Sequence, residues 1–167
     1  MSTAERRASD PDLGPGARRR WSRIKADMRR AAVPDARARA ILRGREIAAQ
    51  DLREAGGAYD LEQVRVVLNG ISRQMVDRKV KAGQLLAVPG PSGRRIYPTV
   101  QFAADGSLLP GLATVLAALP TCDPWAALNF LVNADQRLGG RRPVDLLRDG
   151  RAETVVSAAR HLDEQGA

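Results

Sequence analysis

Apolar residues return every third or fourth position along most of this chain, the spacing of one helix face, and only the stretch from about Leu85 to Tyr97 breaks into short extended runs. From Ala17 to Ala32 the apolar stripe is narrow, with Trp21, Ile24 and Met28 set among arginines and alanines. Pro34 opens a second helical run to Ala55, with Ile41, Ala48 and Leu52 on one side, and Gly56-Gly57 closes it. Asp60 is placed to cap a short helix whose face is Leu61, Val64, Val67 and Leu68. Asn69-Gly70 makes a tight turn, Ser72 caps the next helix from about Arg73 to Ala82, and Gly83 stops it. In that second helix Met75 or Val76, together with Val80, faces the first.

Leu85-Leu86-Ala87-Val88 and Arg94-Arg95-Ile96-Tyr97 then flank the turn Pro89 to Gly93, which predicts a basic β-hairpin. Beyond Phe102 and a turn at Asp105-Gly106, a helix is expected from Pro110 to Leu119, with Leu112, Val115, Leu116 and Leu119 apolar. Pro120 ends it. Asp123 caps a further helix that starts at Pro124-Trp125 and continues through Leu128, Phe130, Leu131 and Val132 toward Leu138. Gly139-Gly140 turns the chain, Val144 to Arg148 forms a short helix started by Pro143, and Arg151 to His161 forms the last. The pattern predicts a mainly α protein: a small helix-turn-helix domain with a β-hairpin wing, followed by a C-terminal helical bundle domain. Its segments are a disordered tail (1–16), an Arg-rich helical extension (17–57), the winged helix-turn-helix (58–104) and a helical binding or dimerisation domain (105–167).

Charge separates these segments further. Residues 1–57 hold 14 Lys and Arg against 8 Asp and Glu, residues 58–102 hold 7 against 3, and residues 103–167 hold 6 against 8. A basic front and a slightly acidic back assign a polyanion to the first part and another kind of partner to the last. One cysteine (Cys122) and one histidine (His161) exclude an intramolecular disulfide and a Cys/His zinc set, so no metal and no cofactor is expected. They also leave no nucleophile–base pair, and no phosphate-cradling glycine loop follows a strand. The chain is therefore not expected to be an enzyme, and no catalytic residue is assigned. No run approaches the roughly 18 apolar residues of a membrane span, and the first sixteen residues lack an apolar signal region, which points to the cytoplasm.

The candidate chemistry sits on the second helix of the pair and on the hairpin. A helix of about 11 residues, roughly 16 Å long, fits the major groove. Arg73, Gln74 and Arg78 could reach base edges there, since Arg pairs bidentately with guanine and Gln with adenine. Ser72 and Asp77 share that exposed helix, while Lys79, Lys81, Arg94 and Arg95 suit phosphate contacts.

Ile71-Ser72-Arg73-Gln74-Met75-Val76, Gly83-Gln84-Leu85-Leu86-Ala87, Arg95-Ile96-Tyr97-Pro98 and Gln101-Phe102 resemble the N-terminal part of Xre/MbcA/ParS-type antitoxins, with a helix-turn-helix nearer the MerR or excisionase type. Pro110-Gly111-Leu112, Asp123-Pro124-Trp125, Leu138-Gly139-Gly140, Pro143, Asp145-Leu146-Leu147 and Gly150 resemble that family's C-terminal domain. The resemblance implies an antitoxin that inhibits a RES-domain, NAD-consuming toxin. With the basic helix-turn-helix, a repressor of its own double-stranded operator is expected, as a homodimer because such DNA readers commonly work on paired half-sites. It places the segment 151–167 nearest the toxin. Arg141, Arg142, Arg148, Arg151, Arg160, Asp163 and Glu164 are the candidate toxin contacts, or a solvated charged face. The alternatives are a stand-alone DNA-binding regulator or recombination accessory protein whose C-terminal domain only dimerises, and an adaptor that no longer touches DNA.

Overall fold

The computed structural model describes residues 14–32 and 35–162, with the side chains of 26–32 left out, and it is mainly helical with one small antiparallel sheet. The expected disordered tail falls mostly outside these residues, as do Asp163 and Glu164. The chain divides into two compact units, residues 1–43 and 44–167.

The first unit holds α1 (Pro15–Ala32) and the start of α2 (Ala36–Glu54). Helix α1 begins two residues before the expected start, at Pro15, a residue whose fixed φ suits a first helical turn. Asp35 Oδ1 accepts from the Ala38 amide at 2.7 Å and so caps α2. Ile41 and Leu42 stay about half exposed.

In the second unit, α2 ends by burying Ala55 and Asp51, with Leu52 packed alongside. Asp51 is only 2% exposed. Its carboxylate accepts from Asn129 Nδ2 at 3.0 and 3.2 Å and from Asn133 Nδ2 at 2.9 Å, so this acid is solvated by two side-chain amides in place of water. There follow β1 (Ala58–Tyr59), α3 (Leu61–Val67), α4 (Arg73–Lys81), β2 (Val88–Pro89) and β3 (Arg95–Pro98). The sheet order is β1-β3-β2, with Ala58 opposite Pro98 and Val88 opposite Ile96.

The hairpin is therefore shorter than the sequence suggests, and it gains a third strand at β1. Leu85 to Ala87 is not a strand for a definite reason. Gln101, fully buried just after β3, donates from Nε2 to the Leu86 carbonyl at 2.9 Å and accepts on Oε1 from the Leu86 amide at 2.8 Å. One side-chain amide does for Leu86 what a neighbouring strand would do. Nε2 also reaches the Pro98 carbonyl at 3.0 Å.

The C-terminal helices are α5 (Leu112–Ala118), α6 (Pro124–Val132), α7 (Pro143–Arg148) and α8 (Ala152–Arg160). Helix α5 starts later than expected because Gly111 holds φ +81° as its N-cap. Asp123 caps α6 as predicted, accepting from the Trp125 amide at 3.0 Å. That helix stops at Val132, well short of Leu138. Asn133 leaves helical geometry, its side chain bonding back to the Asn129 carbonyl and across to Asp51, and Asp135 caps a separate 3₁₀ turn, Gln136–Leu138.

Two apolar clusters result. A small one, Val64, Val76, Leu85, Tyr97 and Phe102, lies under the helix pair, with the Tyr59 and Phe102 rings edge to face at 5.5 Å. The large one joins Leu86, Val88 and Val100 to Leu112, Val115, Leu128, Leu131, Val144, Leu147, Val155 and Ala159. The core thus runs across the boundary drawn at residues 104 and 105, and Leu108 touches both clusters.

Candidate nucleic-acid interface

The α3–α4 pair is set by its caps and its turn. Asp60 and Gln63 form a reciprocal capping box at the start of α3, the Gln63 amide donating to Asp60 Oδ1 at 2.8 Å and the Asp60 amide to Gln63 Oε1 at 2.9 Å. At its end Asn69 takes φ +61°, which lets its own amide and that of Gly70 bond back to the Val66 and Arg65 carbonyls. Arg65 Nε then donates to the Ile71 carbonyl at 2.9 Å, tying α3 to the residue just ahead of α4. Ser72 Oγ accepts from the Met75 amide at 3.2 Å, a cap worth about 1 kcal/mol.

Val76 is the inward residue of α4, fully buried, with Val80 packed beside it; Met75 is turned out and 37% exposed. Arg73, Gln74, Arg78 and Lys81 are exposed, whereas Asp77 and Lys79 are half-buried. On the wing Arg94 and Arg95 are exposed. Arg95 Nη1 meets Asp77 Oδ1 at 3.1 Å, which links β3 to α4. Burial pushes the Tyr97 hydroxyl above its ordinary pKa, opposed by the positive charges of Arg95 and Arg73 and assisted by the negative charge of Asp77. Arg73, Asp77 and Arg95 therefore converge on the wing side of α4. Gln74 and Arg78, four residues apart, share the neighbouring row. Arg73, Arg78, Lys79, Lys81 and Arg94 have no acidic partner among the described residues. The arrangement is a helix about 14 Å long with one buried edge and a cationic, hydrogen-bonding outer face, flanked by a basic hairpin.

The arginines singled out in the C-terminal region are placed differently. Arg142 binds Asp145 bidentately at 2.7 and 2.9 Å, and Arg148 Nη1 reaches the same carboxylate at 3.0 Å. The Arg142 hydrogen bonds hold the Asp145 carboxyl below its usual range and raise the guanidinium above its own. Arg148 Nη2 also reaches the Val100 carbonyl at 3.3 Å, and Arg141 meets Asp149 at 2.6 Å. Arg151 and Arg160 are exposed and lack an ionic partner among the described residues. Helix α8 is no detachable tail, because Val155 and Ala159 are fully buried in the large core.

Three features escaped the reading of the sequence: the Gln101 bridge, the Asp51–Asn129–Asn133 cluster and Asp145 as a hub. Only the last left a local signal, the three-residue spacing of Arg142, Asp145 and Arg148. Among the described residues no group of three metal-ligating side chains comes together, and no helix is long and apolar enough to cross a membrane.

No protein-family model matches the chain, and no curated protein matches it. Among solved structures the chain is similar to the NMR structure of Rv2175c, at 28% identity and a TM-score of 0.53, over 63% of this chain and 80% of that one. The likeness supports the mainly helical fold with its small sheet.

Proposed function

We propose that this chain is a cytoplasmic antitoxin of two parts: the winged helix-turn-helix binds operator DNA as a repressor, and the C-terminal helical region inhibits a RES-domain toxin. The observation that carries the DNA half is the outer face of α4, where Gln74 and Arg78 stand exposed over a fully buried Val76, beside a wing bearing Arg94 and Arg95. Arg73, Gln74 and Arg78 read base edges in the major groove; Lys79, Lys81 and Arg94 neutralise phosphates. A homodimer on paired half-sites is the expected binding form. The toxin half rests on the resemblance of residues 108–161 to the antitoxin C-terminal domain. Arg151 and Arg160 are its best contacts, since Arg141, Arg142 and Arg148 are engaged within the chain.

The test is whether the adjacent reading frame encodes a RES-type protein, then co-expression of the two, co-purification and a gel-shift on the upstream DNA. Joint recovery, rescue of growth and a shifted operator are expected. The pair Arg151→Glu and Arg160→Glu leaves the core intact and is expected to weaken rescue. No recovered partner, with the DNA shift intact, would leave a plain DNA-binding regulator in place of an antitoxin.

A further inference from the structure

We infer that α1 is a second, sequence-independent contact for nucleic-acid phosphates, distinct in its residues from the winged helix-turn-helix. Over 18 residues α1 carries seven Arg and Lys against one acid, Asp27. Arg18, Arg19, Arg20 and Arg23 are exposed and have no acidic partner among the described residues. At 100° per residue, Trp21 and Ile24 form a narrow stripe about 60° wide, and Arg18, Arg19, Arg23 and Arg20 spread over the rest of the helix surface. Lys25 Nζ sits 5.9 Å from the centre of the Trp21 ring.

This arrangement opposes the helix's own stability. Arg19 and Arg23 are a like-charged pair at i, i+4, and three successive arginines fall in the first two turns, where the helix dipole disfavours cations and where no acid compensates. A helix that concentrates uncompensated positive charge gains from a polyanion running along it. Guanidinium groups suit phosphate oxygens because each offers a planar fork of donors. The length, about 27 Å, spans many phosphates of a duplex with one charge per roughly 1.7 Å of axis.

Two other occupants fit less well. A second copy of α1 would bring the same net positive charge to the contact. A bilayer needs a broad apolar face, and Trp21 and Ile24 are each only 39% exposed, too little area to anchor a helix.

The inference goes beyond the operator reading and is separable from it. The experiment is fluorescence anisotropy of a labelled random-sequence duplex with the full chain across a salt series. It is run on the parent, on Arg18→Ala/Arg19→Ala/Arg20→Ala/Arg23→Ala, and on the winged-helix variant Arg78→Ala/Arg94→Ala. Alanine favours helix, so circular dichroism should be unchanged in the first variant. That variant is expected to bind the random duplex at least about 10-fold more weakly at low salt. Its log–log salt slope should be shallower by about 2 to 4, at roughly 0.9 for each phosphate no longer neutralised. The winged-helix variant is expected to keep the α1-dependent part of that slope.

An α1 variant with the parent's affinity and slope, beside a winged-helix variant that no longer binds, overturns this inference and leaves the operator reading standing. The converse pattern supports α1, and the operator reading keeps its own test in the gel-shift on the upstream DNA. A parent chain that does not bind the random duplex overturns this inference. A parent that binds vesicles of anionic phospholipid through α1, but not duplex DNA, makes α1 a membrane contact and overturns the inference as well.

Discussion

The helix pair with its wing and the C-terminal helices both carry clusters of arginine, and they use them in opposite ways. On α4 and the wing, Arg73, Arg78, Lys79, Lys81 and Arg94 stand without acidic partners among the described residues, and Arg95 is paired with Asp77. Around α7, Arg142 and Arg148 close on Asp145, Arg141 closes on Asp149, and Arg137 closes on Asp135 at 2.6 Å. An unpaired guanidinium on a rigid helix keeps its donors free for a ligand. A paired one has already committed them to holding a turn in place. The same residue type in one chain thus stands unpaired on α4 and the wing and serves as a brace around α7.

The sharpest way to break this comparison is to remove cations from each region in turn. Arg73→Ala with Arg78→Ala is expected to cost about 100-fold or more in operator affinity, at roughly 1–3 kcal/mol for each good contact. Arg142→Ala is expected to leave that affinity unchanged. Equal losses from both, read by gel-shift or anisotropy, would abolish the distinction.

Gln101→Leu tests whether the regions are mechanically one. It strips partners from the buried Leu86 amide and carbonyl and from the Pro98 carbonyl, a loss of about 3 kcal/mol. Because the large core spans both regions, a single cooperative transition at lower temperature is expected in calorimetry. Two separated transitions would show that the regions melt independently.

Gly111→Ala strikes the C-terminal helices alone. Its φ of +81° disfavours any side chain, and the new methyl group would collide with Cβ of Ala152 on α8. A loss of about 2–3 kcal/mol in denaturant unfolding is expected, with DNA affinity of the folded protein retained.

The smallest effect concerns the braces. Asp145 is held below its ordinary pKa by Arg142, so it binds its proton more weakly folded than unfolded. Its stabilising contribution is therefore present above about pH 4 and is lost as pH falls through the lower folded value. Asp145→Asn is expected to cost under about 1 kcal/mol at neutral pH, because the pair is partly exposed, and to flatten the acid limb of the stability curve. An unchanged acid limb would mean that the brace contributes nothing.

Much of the α3–α4 pair is legible in local residue order, because caps and turns act over three or four positions. Asp60, Ser72, Gly83 and Asp123 announce their helix ends, whereas the choice between Met75 and Val76 as the inward residue of α4 needed the packed structure, which buries Val76. The C-terminal ion pairs were less legible. The spacing of Arg142, Asp145 and Arg148 is a local signal, but Arg141 reads as surface charge until the fold brings Asp149 against it.

By itself the sequence determined the helical class and the basic helix pair with its hairpin, since these depend on periodicity and short-range capping. Only the tertiary structure decided that β1 joins the sheet and that α6 ends at Val132. It alone decided that Gln101 replaces a strand for Leu86 and that a buried Asp51 is held by two asparagines about eighty positions away. Each of those depends on polar groups meeting across long sequence separations. A buried amide or carboxylate must find its partner wherever the packed chain supplies one.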